Sequence, residues 1–130
     1  MPFARMLTVL LFLSLFGCAT PVVHTHTDVS RDYTWIRLKE GAMPYRVDGF
    51  VGGEHVSSYR ILGFTGERYR ISATGEDLYM GVDSGGSARL SEVSAKVVTA
   101  EVVAVDATIF VEVSAHPHSD YTLVIERLTP

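Results

Sequence analysis

The chain has 130 residues, with 11 Lys and Arg against 15 Asp and Glu and a net charge of −4 at pH 7, and this length suits one domain. Lysine occurs only at Lys39 and Lys96 and the arginines are scattered, which argues against the basic face of a nucleic-acid-binding protein. The single cysteine, Cys18, leaves no partner for an internal disulfide, so the domain depends on its core.

Residues 1–17 have the organisation of a bacterial secretory signal. Arg5 supplies a positive charge, and an apolar run from Met6 to Phe16 follows. The run is shorter than the about 20 residues of a membrane-spanning helix, although an ordinary secretory signal and an uncleaved anchor are the alternatives. We therefore predict that residues 1–17 are a cleaved signal peptide.

The end of this run, Leu15-Phe16-Gly17-Cys18, resembles the lipobox of bacterial lipoproteins, with Phe16 bulkier than the residue usual there. The resemblance implies cleavage before Cys18 and acylation of Cys18, with palmitate among the acyl chains. Stable attachment needs more than one acyl chain, which lipoprotein processing provides. Ala19 after the cysteine resembles the outer-membrane address of enteric lipoproteins, so we expect a lipid-anchored protein of the outer membrane that faces the periplasm.

Residues 18–32 are predicted to form the lipidated cysteine and a flexible tether. Thr20-Pro21 and the repeat His24-Thr25-His26-Thr27 show neither the helical nor the strand period. A spacer of this kind would hold the domain away from the membrane.

Residues 33–130 are predicted to form an all-β domain, because short alternating segments are separated by turn signals about every ten residues. Tyr69, Ile71 and Ala73 are expected to point inward from one strand, and Tyr121, Leu123 and Ile125 from the last. The expected architecture is a small antiparallel, jelly-roll-like β-sandwich of about eight strands without helices. The predicted strands are 33–38, 45–50, 57–64, 68–73, 78–82, 88–93 (ambiguous), 95–105, 108–113 and 120–127.

Several of these strands carry motifs of a known family. Val47-Asp48-Gly49-Phe50, Tyr59-Arg60-Ile61 and Asp77-Leu78-Tyr79 resemble the opening of bacterial pre-peptidase C-terminal domains, and 109–113 with 121–125 resemble their final hairpin. The periplasmic inhibitors of g-type lysozyme are the most similar in layout, over about residues 36–126. The resemblance implies a β-sandwich and, as a function, inhibition of a muramidase.

The inhibitors differ from this chain at the loops that act on lysozyme. They carry Ser-Gly-x-x-Tyr before the penultimate strand, whereas this chain reads Val-Asp-Ala-Thr-Ile-Phe at 105–110, and its loop 114–119 is short. No inhibitory residue can therefore be transferred. Any binding must therefore use other residues, for instance the loop from Asp83 to Ser87. The candidate binding residues are Asp83, Ser84, Ser87, His116 and His118.

The histidines form two H-x-H pairs, His24/His26 and His116/His118. Imidazole suits Zn, Cu and Ni, but the pairs lie in a predicted tether and a predicted loop, without a carboxylate or cysteine at metal-site spacing. Solvated loop histidines are the alternative we adopt. We predict no metal and no cofactor.

Catalytic patterns are weak. The serines lack a G-x-S-x-G elbow, and Glu76-Asp77 are adjacent, whereas a glycosidase needs two carboxyl groups across a cleft. Asp83-Ser84-Gly85-Gly86 is more typical of a turn, with the aspartate bonded to local backbone. We expect a protein that is not an enzyme.

Two surface features remain open in the sequence. Arg60, Arg68 and Arg70 could form a basic stripe that binds carboxylates, or could pair with acidic residues of the same sheet. The aromatic residues could stack on sugar rings or fill the core; they are Tyr33, Trp35, Tyr45 and Phe64.

The functional expectation is a binding module that recognises a protein or glycan of the cell envelope, with lysozyme inhibition as its sharpest form. The alternative is a structural or accessory lipoprotein subunit of an envelope assembly. That subunit would dock by strand addition, with 95–105 as the expected exposed edge.

Overall fold

The computed structural model describes residues 19–28 and 31–129. The predicted signal peptide and Cys18 lie outside the described residues. Among the described residues, no helix is long and apolar enough to cross a membrane. The described residues form ten strands: β1 Val22–Asp28, β2 Arg31–Arg37, β3 Tyr45–Gly52, β4 Ser57–Phe64, β5 Arg68–Thr74, β6 Leu78–Asp83, β7 Ala88–Ser94, β8 Val97–Val102, β9 Asp106–Ala115 and β10 His118–Leu128.

The strands form two five-stranded sheets. Sheet A has the order β1-β2-β4-β9-β6, and sheet B has the order β3-β10-β5-β8-β7. From β3 to β6 consecutive strands alternate between the sheets, as in a jelly roll. The predicted all-β sandwich is confirmed, with ten strands instead of about eight.

The core lies between the sheets and follows the alternation of the sequence. The residues expected to point inward from β5 and β10 are all buried, and Ile71, Leu123 and Ile125 are fully so. Sheet A supplies the opposite layer with Ile109, Val111 and other inward-facing β-branched residues. Removal of this apolar surface from water is the main stabilising contribution to the fold.

Two tyrosines form a polar bridge inside the core. The hydroxyl groups of Tyr59 in sheet A and Tyr121 in sheet B are 2.6 Å apart, and the ring of Tyr45 lies 6.3 Å from that of Tyr59. Burial, followed by the hydrogen bond with Tyr121, raises the pKa of Tyr59. The pair gives both hydroxyl groups a hydrogen-bond partner and links the two sheets.

A second link between the sheets is built around one carboxylate, and we call it the carboxylate clasp: Arg37, Glu67, Tyr69 and Arg127. Arg37 donates two hydrogen bonds of 2.6 Å to Glu67, one to each oxygen. Tyr69 also donates to Glu67, and Arg127 lies 3.5 Å from it. The Glu67 side chain is only 9% exposed, so the clasp is a nearly buried ion cluster joining β2 of sheet A to β5 and β10 of sheet B.

The structure differs from the prediction at the start of the domain. Residues 22–28, expected to be part of a tether, form β1, which pairs antiparallel with β2. A polar edge strand needs only backbone bonds to one neighbour and so carries little hydrophobic alternation, which is why the sequence pattern did not show it. The β2–β4 pair is parallel, whereas the other pairs between the described strands are antiparallel.

Two further predictions about strands are wrong. The strand expected at 95–105 is shorter, and β8 lies between β5 and β7, so it is not an exposed edge. The segment 114–119, expected to be a loop, is mostly strand, because β9 continues to Ala115 and β10 begins at His118. Pairing between strands that are distant in the sequence determines where these strands begin and end, and local composition does not indicate that pairing.

Candidate functional site

The outer face of sheet A carries a row of aromatic side chains around one arginine. Trp35 of β2 is opposite Arg60 of β4 in the parallel ladder, and Arg60 is opposite Phe110 of β9. Tyr33 lies two residues before Trp35 and so points to the same side. We call this surface the aromatic face: Tyr33, Trp35, Arg60 and Phe110.

The Arg60 guanidinium is held over the rings of this face. Its central carbon lies 4.0 Å from the centroid of the Tyr33 ring, 5.4 Å from Phe110 and 5.5 Å from Trp35. These distances are within the range of cation–π attraction. Contacts with three rings restrain the arginine in a fixed position while the face stays accessible, since Phe110 is 41% exposed.

Two shallow depressions lie on sheet A, one lined in part by Arg60 and the other in part by Trp35. One of about 170 Å³ is lined by Tyr33, Ser58 and Glu112, among others. The other, of about 210 Å³, is lined by Val22, His24, Trp35 and Leu62, among others. Both are small for the pocket of a drug-sized ligand.

The outer face of sheet B has a different character. Charged pairs cross it, with 3.9 Å between Arg70 and Glu126 and 3.7 Å between Arg89 and Glu101. Arg68 and Arg70 belong to this sheet and Arg60 to the other. The hypothesis of one arginine stripe is therefore wrong, and the alternative of pairing within the sheet holds for Arg70.

No known protein family, curated protein or solved structure matches the chain. The resemblance to lysozyme inhibitors stays a prediction. The physical character of the aromatic face is the strongest indication of function that the molecule itself provides.

The candidate binding loop predicted from sequence is not one site. Asp83 ends β6 opposite Phe110, whereas the His116 amide donates to the carbonyl of Asp77 just before β6 begins. Five strand residues separate Asp77 from Asp83, which corresponds to about 17 Å. Asp83, Ser84 and Ser87 therefore lie at one end of the sandwich, and His116 and His118 at the other.

The 83–87 segment is a tight turn whose polar groups bond to each other. Asp83 accepts from the Gly85 amide at 3.0 Å, and Ser87 donates to the Ser84 carbonyl at 2.6 Å. Gly85 and Gly86 have φ of 60° and 87°, values that glycine adopts without strain. The alternative prediction of a turn with aspartate bonded to local backbone is confirmed.

Ser84 offers a test of this structural role. Its buried hydroxyl donates to the Ala88 carbonyl and accepts from the Ala88 amide. We expect Ser84→Ala to lower the free energy of unfolding by about 1–2 kcal/mol, because two buried backbone groups lose their partner. Urea denaturation measures this, and the exposed Ser91→Ala on β7 serves as the control, with a loss below about 0.5 kcal/mol. Equal stability of the two variants would contradict the assigned role.

The histidines with described side chains in the two predicted pairs lie apart. His24 is exposed on β1, whereas His116 is exposed in the turn between β9 and β10 and His118 is exposed at the start of β10. Among the residues that the structure describes, no group of three His, Cys, Asp or Glu side chains is arranged to hold a metal ion.

Sequence reasoning found parts of the aromatic face but not the whole. It singled out Tyr33, Trp35 and Arg60 in separate roles and passed over Phe110. The alternation of β4 and β9 indicated that Arg60 and Phe110 point away from the core. Their meeting with Trp35 depends on the parallel β2–β4 pairing, for which the sequence holds no local signal.

Proposed function

We propose that this chain is a non-enzymatic, lipid-anchored protein of the bacterial outer membrane that binds another protein of the cell envelope through the aromatic face. The observation that supports it is the Arg60 guanidinium, held over three aromatic rings on an accessible sheet face. Trp, Tyr and Arg are the residues enriched at the energetic centres of protein interfaces.

The chemistry of the face favours a protein partner. Its rings are large and restrained, so contact costs little side-chain entropy. Glu112 and Ser58 beside Arg60 provide polar groups at the edge of the apolar centre, an arrangement common in interfaces. The charged outer face of sheet B serves as the solvated side.

The lysozyme-inhibitor resemblance makes a muramidase the first partner class to test. The purified protein would be titrated against c-, g- and i-type lysozymes acting on cell-wall substrate. We expect sub-micromolar inhibition of one type, with at least about a 30-fold loss in Trp35→Ala and Arg60→Ala, since residues at an interface centre contribute about 2 kcal/mol or more.

Arg70→Ala is the matched control, because Arg70 is an arginine of the opposite outer face in a weak exposed pair. Its inhibition constant is expected to match that of the wild type. Equal losses in Arg60→Ala and Arg70→Ala would contradict the assignment of the aromatic face. If the protein inhibits none of the three lysozyme types, the muramidase form of the proposal is overturned.

A photo-crosslinking amino acid at position 110, compared with one at position 70, tests the broader proposal in intact cells. Protein adducts that form at 110 and not at 70 would support it. Adducts of glycan fragments at 110 would instead assign the face to cell-wall sugar, and equal adducts at both positions would overturn it.

The accessory-subunit alternative expected docking at the strand predicted over 95–105, which contains β8. Because β8 is paired on both sides, strand addition there is not proposed. A subunit that docks by its aromatic face would be recognised by a stable partner that co-purifies with the protein without cross-linking.

A further inference from the structure

One end of the sandwich carries three exposed apolar side chains, and we call it the apolar tip: Phe64, Val103 and Val105. Val105 is 83% exposed, and the other two are close to half exposed. Two neighbouring turns form the tip, since the Thr65 amide donates to the Val105 carbonyl at 3.2 Å and the Thr65 hydroxyl to the Ala104 carbonyl at 2.5 Å. The two turns are therefore hydrogen-bonded to each other, although the side chains of the tip face solvent.

The chain enters the domain at this same end. β1 begins at Val22, which pairs with Arg37, the last residue of β2, and the Arg37 guanidinium lies 4.8 Å from the ring centroid of Phe64. The approach to β1 is attached as well, because the Ala19 carbonyl accepts a hydrogen bond of 3.2 Å from the Met43 amide.

This attachment leaves almost no spacer after Cys18. Consecutive Cα atoms are about 3.8 Å apart, and four extended residue steps from Cys18 to Val22 cover at most about 14 Å. A lipid on Cys18 would thus bring the bilayer surface directly to the end that carries the apolar tip.

We propose that the sandwich stands upright on the membrane with the apolar tip against the lipid surface. This inference rests on the lipid anchor of the proposed function. Phe64, Val103 and Val105 enter the boundary between head groups and acyl chains, where apolar side chains of anchored proteins gain from leaving water. The partner we assign is lipid, because an anchor on Cys18 would bring a bilayer to this end of the molecule.

The orientation also sets the height of the aromatic face. Arg60 precedes Phe64 by four residues on β4, which corresponds to about 13 Å along the strand. The plane of sheet A runs roughly along the membrane normal, so a partner would approach from the side and close to the bilayer.

Depth-sensitive fluorescence tests the inference. The acylated protein would be purified from the envelope, with its one native tryptophan replaced by Trp35→Phe and a new one introduced by Val105→Trp. The matched control is Val56→Trp, at an exposed valine between β3 and β4 at the opposite end. Both would be placed in vesicles of phosphatidylcholine with and without brominated acyl chains.

We expect brominated lipid to quench the tryptophan at position 105 at least about threefold more than the one at position 56. Equal quenching in protein that floats with the vesicles would overturn this inference alone. Failure to float with vesicles would overturn the lipid anchor of the proposed function, and the upright orientation with it.

Discussion

Glu67→Gln is expected to lower the free energy of unfolding by about 3 kcal/mol. The glutamine keeps the shape of the side chain but leaves Arg37 and Arg127 without a counter-charge. Their side chains are only 22% and 18% exposed, so water replaces the lost interaction poorly. Removal of one partner from a buried ion pair typically costs about 3–5 kcal/mol, and the partial exposure of the arginines places this case at the low end.

Urea denaturation at pH 7 measures this effect, with Glu101→Gln as the control. Glu101 pairs with Arg89 at 3.7 Å, but both side chains are well exposed, and such pairs contribute less than about 1 kcal/mol. A loss for Glu67→Gln no larger than that for Glu101→Gln would show that the carboxylate clasp does not stabilise the fold.

The same carboxylate should make stability depend on acid. Burial alone would raise the pKa of Glu67, but hydrogen bonds from Arg37 and Tyr69 outweigh it and hold the pKa below its ordinary value. As the pH falls, Glu67 is therefore protonated first in the unfolded chain, near pH 4.3. The stabilisation is fully present above that pH and is lost as the pH falls through the folded-state pKa.

The stability of the wild type and of Glu67→Gln can be compared across pH to isolate this effect. The stability difference between wild type and Glu67→Gln should be largest near neutral pH and shrink below about pH 4, since a protonated glutamate resembles glutamine. A difference that stays constant from pH 7 to pH 3 would contradict the assigned pKa direction.

Local alternation was enough to predict much of the fold. The inward-facing residues of β5 and β10 follow directly from a period of two, and the aspartate and glycines of 83–86 indicated a turn through their backbone preferences. In each case the physical cause lies within a few residues of the chain, so the sequence displays it.

Features that depend on distant pairing were not predictable. Arg60 and Arg70 look equivalent in sequence, yet they lie on opposite sheets. Glu67 carries no local signal of its role, because its arginines come from β2 and β10, 30 and 60 positions away. β1 is polar and is held by backbone bonds to β2, so composition alone suggested a tether.

Gly49 is another residue whose role depends on distant strand pairing. Its substitution is expected to have the second large effect on stability. In sequence it is one glycine within an alternating strand. In the structure it lies opposite Tyr121 in the β3–β10 ladder, and the tyrosine ring covers it. A Cβ at position 49 would lie 2.6 Å from both Cζ and the hydroxyl oxygen of Tyr121, a distance that non-bonded atoms do not adopt.

Gly49→Ala is therefore expected to cost about 3 kcal/mol of unfolding free energy. Overpacking of a filled core costs about 1–3 kcal/mol, and displacement of the ring also breaks the buried hydrogen bond to Tyr59, which contributes about 1 kcal/mol. Gly81→Ala on β6 is the matched control. No atom lies within 4 Å of the added Cβ there, so that substitution should be neutral or slightly stabilising, because alanine restricts the unfolded chain.

A double-mutant cycle assigns the cost to the ring. In a Tyr121→Leu background the added methyl group no longer meets an aromatic side chain, so Gly49→Ala should cost less than about 1 kcal/mol there. The coupling between positions 49 and 121 is then about 2 kcal/mol, within the range found for residues in contact. An equal cost in both backgrounds would place the cause in the β3 backbone and would remove the link between Gly49 and the tyrosine bridge that joins the two sheets.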